Sequence, residues 1–245
     1  MTKEHIKCWV VALATCTTVF IVFSVYLYLR RGYYDLYIIN KVLGSASLVA
    51  LGLVLLIGPL SRLYQRFDHW LCYRKEIGII GFLAAFAHMI ISLFLLPEKF
   101  KFISFFTYTS LNRGLVPFLL GLASIMICII LTILSFESIK RKTKTIAWWH
   151  WQYRGVRIAF LFLFLHLIFM KYPGWIDWYV KGSTGLARPF MPPGSIIAGS
   201  IGLFVLLVRL AEVIDTKVAK IVIPVLLFFL IAFWLESFAW GILKP

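Results

Sequence analysis

Two histidines, His88 and His166, stand deep inside long apolar stretches of the sequence. An ionisable side chain at membrane depth is costly, and it indicates a functional site by default. A neutral imidazole is also the commonest metal ligand in proteins. The two side chains therefore predict a metal or cofactor site inside a membrane, provided that both reach the same depth.

The two histidines are predicted to lie at a similar depth, in the outer half of the bilayer. Their apolar stretches are the third and the fifth of the chain, so both cross the membrane in the same direction. His88 lies about 18 Å past Glu76 at a rise of 1.5 Å per residue, and His166 lies shortly before Lys171. Two ligands at one level can hold a single planar cofactor from both sides.

Haem b fits this pair better than a bare metal ion does. A zinc site uses three or four protein ligands, and no Cys, Asp or Glu lies at the predicted depth. Two imidazoles can instead hold a haem iron as axial ligands. Iron that is six-coordinate favours electron transfer over oxygen binding. We therefore predict His88 and His166 as the ligands of the iron.

Small residues precede each histidine at steps of three or four, which places them on the histidine's face of a helix. They are Gly78, Gly81 and Ala85 before His88, and Gly155 and Ala159, followed by Phe162, before His166. Two such faces opposed to each other would leave a slot for a porphyrin, with Gly81, Ala85 and Ala159 against the cofactor. Small residues also let membrane helices pack closely, so packing alone is the alternative interpretation.

The apolar content of the chain requires a membrane. Of its 245 residues 62% are hydrophobic and the mean hydropathy is +0.92, whereas soluble domains are about 45–50% apolar. Continuous apolar runs of about 20 residues have the length of a membrane-spanning helix. The strands of a β-barrel would alternate instead. We predict an all-α integral membrane helical bundle, with residues 1–245 forming a single transmembrane domain.

Six to seven transmembrane helices are predicted, and six result if the last two runs merge or insert only halfway. The runs are 6–29, 42–60, 76–96, 114–136, 148–170, 194–210 and 221–243. Residues 61–75 and 171–193 are predicted as loops, the second of them carrying a belt of aromatic residues at the membrane surface.

The net charge of +15 comes from Lys and Arg that lie mostly in short loops between apolar runs. There they act as topology signals and contact anionic lipids, so no nucleic-acid partner is predicted. The loops on the N-terminal side carry the larger number of basic residues. This bias predicts a multi-pass protein of the cell membrane with a cytoplasmic N-terminus.

Around its two histidines the chain resembles the ferric reductase-like transmembrane domain family. This family includes the haem subunit of the bacterial methionine sulfoxide reductase system and the haem cores of ferric reductases and NADPH oxidases. Residues 74–88, RKEIGIIGFLAAFAH, and 149–166, WHWQYRGVRIAFLFLFLH, carry the resemblance. It covers spans two to six, which places the haem core at about residues 42–212.

One position departs from the family pattern. The family commonly has a further histidine thirteen residues before the one that matches His166, and this chain has Tyr153 there. The corresponding position of the third span lies near Arg74 and is not histidine either. The resemblance therefore implies one haem b, towards the outer face. We interpret Tyr153 as an anchor at the membrane surface, with iron binding or stacking as the alternative.

The resemblance implies a membrane protein that passes electrons to an acceptor at the outer face, as an oxidoreductase subunit of a transmembrane electron-transfer system. The sequence has no G-x-G-x-x-G motif or phosphate-binding loop. The electron donor is therefore expected in trans, as a quinol or a flavoprotein, and the expected acceptor is an extracytoplasmic reductase. No catalytic residue is predicted. Arg113, Lys171 and Arg188 are candidates to pair with haem propionates. The alternative is a haem-free membrane scaffold or partner subunit that retains the fold.

Overall fold

The computed structural model describes residues 3–107, 114–142 and 145–244. The structure is 86% helical, and within these residues seven helices are long and apolar enough to cross a membrane. They are α1 (Lys3–Arg31), α2 (Leu36–Leu63), α3 (Arg74–Ile90, the centre of a continuous helical span Gln65–Leu95), α4 (Leu115–Leu134), α5 (Thr145–Lys181), α6 (Gly194–Ile214) and α7 (Thr216–Leu243). The predicted all-α membrane bundle is confirmed, with seven such helices rather than six.

Short helical segments extend and connect the long helices. A 3-10 helix, Gln65–Tyr73, leads into α3, and a π-helical turn, Ile91–Leu95, follows it. Two single turns, Ser104–Thr107 and Glu137–Lys140, lie between the long helices. The predicted loop at 61–75 is therefore wrong for most of its length. Trp70 and Tyr73 of this segment pack against a core cluster formed by α1, α2 and α3.

Two helices begin earlier than their apolar runs, because an aspartate caps each of them. The Asp35 carboxylate accepts a hydrogen bond from the Ile38 N–H at 2.8 Å, and α2 starts at residue 36 rather than 42. Asp215 accepts from the Lys217 N–H at 2.5 Å, and α7 starts at residue 216 rather than 221. Such caps satisfy free backbone donors at the start of a helix, and hydropathy alone does not reveal them.

Helix α5 is longer than predicted. The prediction ended it at residue 170, before Pro173, whereas the helix continues to Lys181. Trp175 lies on this extension and donates from Nε1 to Ser195 Oγ at 2.8 Å. Contacts of this kind with α6 offset the backbone donor that a proline lacks. Much of the segment 171–193, predicted as a loop, is therefore helix.

Helix α2 lies at the centre of the bundle and packs against α1, α3 and α6, while α4 and α5 form a closely packed pair. We call the end of the bundle that holds residues 32–35 the upper end, and the other the lower end. Helices α1, α3 and α5 finish at the upper end, where α2, α4 and α6 begin. A hydrogen bond from the Arg188 N–H to the Arg30 carbonyl, 3.2 Å long, joins the segments there.

Candidate functional site

A cavity of about 590 Å³ lies near the upper end, and both His88 and His166 line it. Helices α2, α3, α4 and α5 form most of its wall, which is mainly apolar. Its volume falls in the range of about 300–1,000 Å³ that small-molecule and cofactor sites occupy. The structure thus brings together the two histidines that the sequence singles out.

The imidazole of His88 is fixed by a backbone carbonyl near the start of α2. Its Nδ1 lies 2.8 Å from the backbone oxygen of Asn40. A carbonyl oxygen can only accept, so Nδ1 carries the proton and donates. The neutral ring then has its lone pair on Nε2, the atom available to a metal. Histidines that bind metals usually donate their other N–H to such a carbonyl or carboxylate.

The imidazole of His166 is fixed in the same way by the first turn of α4. Its Nδ1 donates to the backbone oxygen of Pro117 at 2.7 Å. Within the described part of the chain neither histidine has a hydrogen-bond partner at Nε2. The two rings therefore offer a matched pair of unprotonated nitrogens.

A glycine lies beneath each imidazole, one turn after the carbonyl that holds it. A Cβ added to Gly44 would lie 3.2 Å from Cε1 of His88, and one added to Gly121 would lie 2.8 Å from Nδ1 of His166. Any larger residue at these positions would push the ring away from the facing helix. Both halves of the site thus share one design, a carbonyl at position i and a glycine at i+4.

Of the three small residues predicted to lie against the cofactor, only Ala85 lines the cavity. A Cβ on Gly81 would lie only 2.9 Å from the Ala50 Cβ, so Gly81 sits in the contact of α3 with α2. Ala159 is buried in the contact of α5 with α4, where its carbonyl accepts from Ser124 Oγ at 2.9 Å. The interpretation as packing therefore describes Gly81 and Ala159.

The cavity is positively charged. The basic residues that line it are Arg30, Arg31, Lys41 and Lys171. Asp177 is the one carboxylate among the described lining residues, and it pairs with Lys181 at 3.0 Å. The cavity therefore favours a ligand that carries negative charge.

Two of these cations have well-defined positions. Arg30 is 5% exposed, and its Nε donates to the Met191 carbonyl at 2.8 Å. The Lys41 ammonium lies 3.9 Å from the centroid of the Tyr37 ring, a cation–π distance. Both contacts leave the positive charge beside the cavity rather than cancel it.

Of the three residues predicted to pair with propionates, Lys171 lines the cavity. Arg188 lies in the segment after α5 and is not among the lining residues. Arg113 lies outside the described residues. The sequence does not indicate three further cations of the cavity, because their closeness to the histidines depends on how helices α1 and α2 pack. They are Arg30, Arg31 and Lys41.

Asn40 contributes a further polar atom to this site. It is fully buried, and its Nδ2 donates to Ser92 Oγ at 2.8 Å. Its Oδ1 is buried without a partner among the described residues. A buried acceptor without a donor is unusual in a native fold. Because Asn40 lines the cavity, a bound molecule with a hydrogen-bond donor would satisfy this atom.

Tyr153 lies away from the cavity, towards the lower end of α5. It is 42% exposed, and the Arg157 guanidinium lies 3.7 Å from its ring centroid and donates to its hydroxyl. This environment is that of a residue at the membrane surface. Its hydroxyl is occupied by Arg157 rather than directed at the histidines.

The described residues contain no group of three or more His, Cys, Asp or Glu that could hold a bare metal ion. The cavity offers two nitrogen ligands, and a haem iron needs just two from the protein. The observations that fit a haem are the two free Nε2 atoms, the apolar wall and the positive charge for propionates. His88 and His166 would hold the iron, and Lys41 and Lys171 lie among the cations available to the carboxylates.

No family model matches the chain, and no curated protein matches its sequence.

Proposed function

We propose that this chain is a haem b protein of the ferric reductase-like type, in which His88 and His166 are the axial ligands of one haem. One observation carries the proposal. Both imidazoles line the same cavity, and each has its Nδ1 bound to a backbone carbonyl and its Nε2 free. Two histidines that served only to pack helices would need neither a shared cavity nor a free nitrogen.

His88 and His166 would hold the haem, which would supply one-electron transfer there. The residues around it have defined tasks. The carbonyls of Asn40 and Pro117 fix the tautomer and orientation of the rings. Gly44 and Gly121 let the rings lie close to the facing helices.

The apolar wall and the cations of the cavity have complementary tasks. The wall keeps water from the site, which lowers the local dielectric and strengthens each charge interaction there. The cations at the cavity would compensate the negative charge of haem carboxylates. Lys171 and Lys41 lie on different helices and can therefore engage two carboxylates separately.

The proposed protein passes electrons through the cell membrane from a quinol or flavoprotein in trans to an extracytoplasmic reductase. With the N-terminus in the cytoplasm, α1 would carry the chain to the outer face, and the upper end would be the outer end. The excess of basic residues on the N-terminal side supports this orientation. The cavity would then stand close to an acceptor outside the cell.

A spectrum of the purified chain with its haem counted tests the proposal. We expect a Soret band, a reduced-minus-oxidised spectrum of a low-spin b haem and one haem per chain. His88→Ala and His166→Ala should each abolish this spectrum. The matched control is His150→Ala, since His150 is exposed and bonds to the Ile146 carbonyl of its own helix.

A check of folding makes the outcome unambiguous. Each variant should elute from size exclusion as the parent chain does and keep its helical circular dichroism. Folded parent protein without haem, even after reconstitution with hemin, would overturn the proposal. The haem-free scaffold would then be the better interpretation.

A further inference from the structure

Four arginines from four different helices converge near the lower end of the bundle. They are Arg62 of α2, Arg74 of α3, Arg157 of α5 and Arg209 of α6. We call them the arginine cluster. Intramembrane and near-membrane charges in such a group require compensation, so the partners of each guanidinium decide what the cluster can bind.

One carboxylate serves two of the four arginines. Arg209 Nη1 lies 2.7 Å from one oxygen of Glu212, and Arg62 donates to the other oxygen. Arg74 donates from Nε to the Val54 carbonyl at 3.2 Å. Among the described residues, Glu212 is the one carboxylate paired with any of the four guanidiniums, so the balance of the cluster is positive.

Shared neighbours show that the four groups form one cluster. A Cβ on Gly58 would lie 3.7 Å from Nη1 of Arg74 and 3.9 Å from Nη1 of Arg209. The Arg157 and Arg209 guanidiniums lie 3.7 Å and 5.9 Å from the centroid of the same ring, that of Tyr153. Gly58 and Tyr153 therefore link the arginines across the helices.

Two donors of the cluster are buried and unused. Within the described residues the Nε atoms of Arg157 and Arg209 have no hydrogen-bond partner. Arg209 itself is 9% exposed. A buried N–H of a charged group without an acceptor is expensive. An anion bound between these two arginines would supply both the acceptor and the missing negative charge.

A phosphate group matches this arrangement best. The planar guanidinium fork binds phosphate oxygens through paired, charge-assisted hydrogen bonds. Basic sites between transmembrane helices bind the head groups of anionic lipids. Tyr153 is exposed, and two and four residues earlier α5 carries the exposed rings of Trp151 and Trp149, which favour the head-group level.

We infer that the arginine cluster binds the phosphate group of an anionic membrane phospholipid. A lipid phosphate reaches this place from the bilayer, at the depth where its head group already lies. A free phosphate ion would have to leave water for a site beside the hydrocarbon. This inference is independent of the haem, which would occupy the other end of the bundle.

Native mass spectrometry of the full chain tests the inference. The probes are phosphatidylglycerol and phosphatidylcholine of the same acyl chains, with inorganic phosphate as a competitor. We expect one phosphatidylglycerol to bind at least about tenfold more tightly than phosphatidylcholine. Both lipids carry the phosphate, but the arginines repel the choline cation of phosphatidylcholine. Excess inorganic phosphate should not displace the phosphatidylglycerol.

Variants locate the site. Arg157→Gln should remove most of the preference for phosphatidylglycerol, and Arg157→Lys should restore part of it, because lysine keeps the charge but not the fork. Glu212 keeps both its arginines in these variants, so folding is preserved. Arg66→Gln is the matched control, since Arg66 is exposed near the same end and lies over the Phe67 ring at 4.9 Å.

Three outcomes would overturn the inference. Equal binding of the two lipids to the parent chain would mean that no anionic lipid is selected, as expected if an acidic protein partner occupied the site. Displacement by inorganic phosphate would reassign the site to the free ion. An equal loss in Arg66→Gln and Arg157→Gln would reduce the effect to general surface charge. The first two outcomes use the parent chain and so do not depend on a variant folding.

Discussion

Helix α5 contributes to two polar sites that differ in charge: the imidazole at the first is neutral, and the second contains charged guanidiniums. At the cavity, His166 is neutral, with one nitrogen bound and the other free. At the arginine cluster, about 20 Å away along the helix at 1.5 Å per residue, Tyr153 lies close to two charged guanidiniums. The first site is a cavity with two free imidazole nitrogens, while the second is a group of arginines with too little negative charge to balance them. The two ends of one helix thus suit ligands of different kinds.

The largest expected effect separates these two sites. His166→Ala should abolish the haem spectrum, whereas Tyr153→His should leave it at one haem per chain. The arginines occupy the surroundings of residue 153, and Arg74 rather than a histidine lies on the third helix there. Haem counted against protein by the pyridine haemochrome method is the measurement. A rise towards two haems in Tyr153→His would break the comparison, since the cluster would then conceal a second haem site.

The next effect concerns stability. Glu212→Gln should lower the free energy of unfolding by about 3 kcal/mol, because it leaves the buried Arg209 charge unpaired. The side chains of this pair are 11% and 8% exposed. Chemical denaturation of the purified chain in micelles provides the measurement.

The control for that prediction is Asp177→Asn, which breaks the exposed pair with Lys181 at the other end of the bundle. Exposed pairs contribute about 0–1 kcal/mol, so this change should be small. Equal losses of unfolding free energy in Glu212→Gln and Asp177→Asn would show that the pair of Glu212 with Arg209 contributes no more than an exposed pair.

A smaller effect compares the two halves of the cavity. Gly121→Ala should weaken haem binding by about tenfold, since overpacking costs about 1–3 kcal/mol and the added Cβ would lie 2.8 Å from the His166 ring. Gly44→Ala should weaken it less, at 3.2 Å from His88. Hemin titration gives both affinities.

Gly78→Ala is the control for the glycine pair. It lies on the same helix as His88 but does not line the cavity, and its added Cβ would lie 3.7 Å from Val54 Cγ2, an ordinary contact. Its haem affinity should equal that of the parent chain. An unchanged haem affinity in Gly121→Ala would contradict the prediction, because it would mean that the His166 ring can move away from the added Cβ without loss of binding.

The smallest effect sharpens the electrostatic contrast. Lys171→Gln removes a cation from the cavity, so the oxidised haem should be favoured and the midpoint potential should fall on the order of 50 mV, from Coulomb's law at an effective dielectric constant of about 20. Potentiometric titration measures it. Lys181→Gln, outside the cavity, should shift the potential less. A rise in Lys171→Gln would contradict the assigned position of this charge.

The number of membrane-length helices could be predicted from sequence, because each needs a continuous apolar run and such runs are local. The placement of His88 and His166 at one cavity could also be anticipated, from their depth and the shared direction of their spans. Helix ends were harder. Asp35 and Asp215 begin helices outside the apolar runs, and α5 passes through Pro173 with the help of contacts to another helix.

The partners of the histidines could not be predicted from a single sequence. Gly44 and Gly121 look like ordinary helix glycines until the neighbouring helix is known. Gly81 was assigned to the cofactor because it shares a face with His88, yet that face is wide enough to include a contact with Ala50. Spacing indicates which residues share a side of a helix, but not which neighbour each of them meets.

The length of α5 has one further consequence. Its exposed rings Trp149 and Tyr172 stand about 35 Å apart along the helix, slightly more than the roughly 30 Å of a typical hydrocarbon layer. Rings at both interfaces resist being drawn into the acyl chains. A thinner bilayer would therefore tilt the helix rather than let it slide. His166 and Tyr153 lie between these two rings on one continuous helix. A tilt caused by hydrophobic mismatch would therefore change the depth of both sites together.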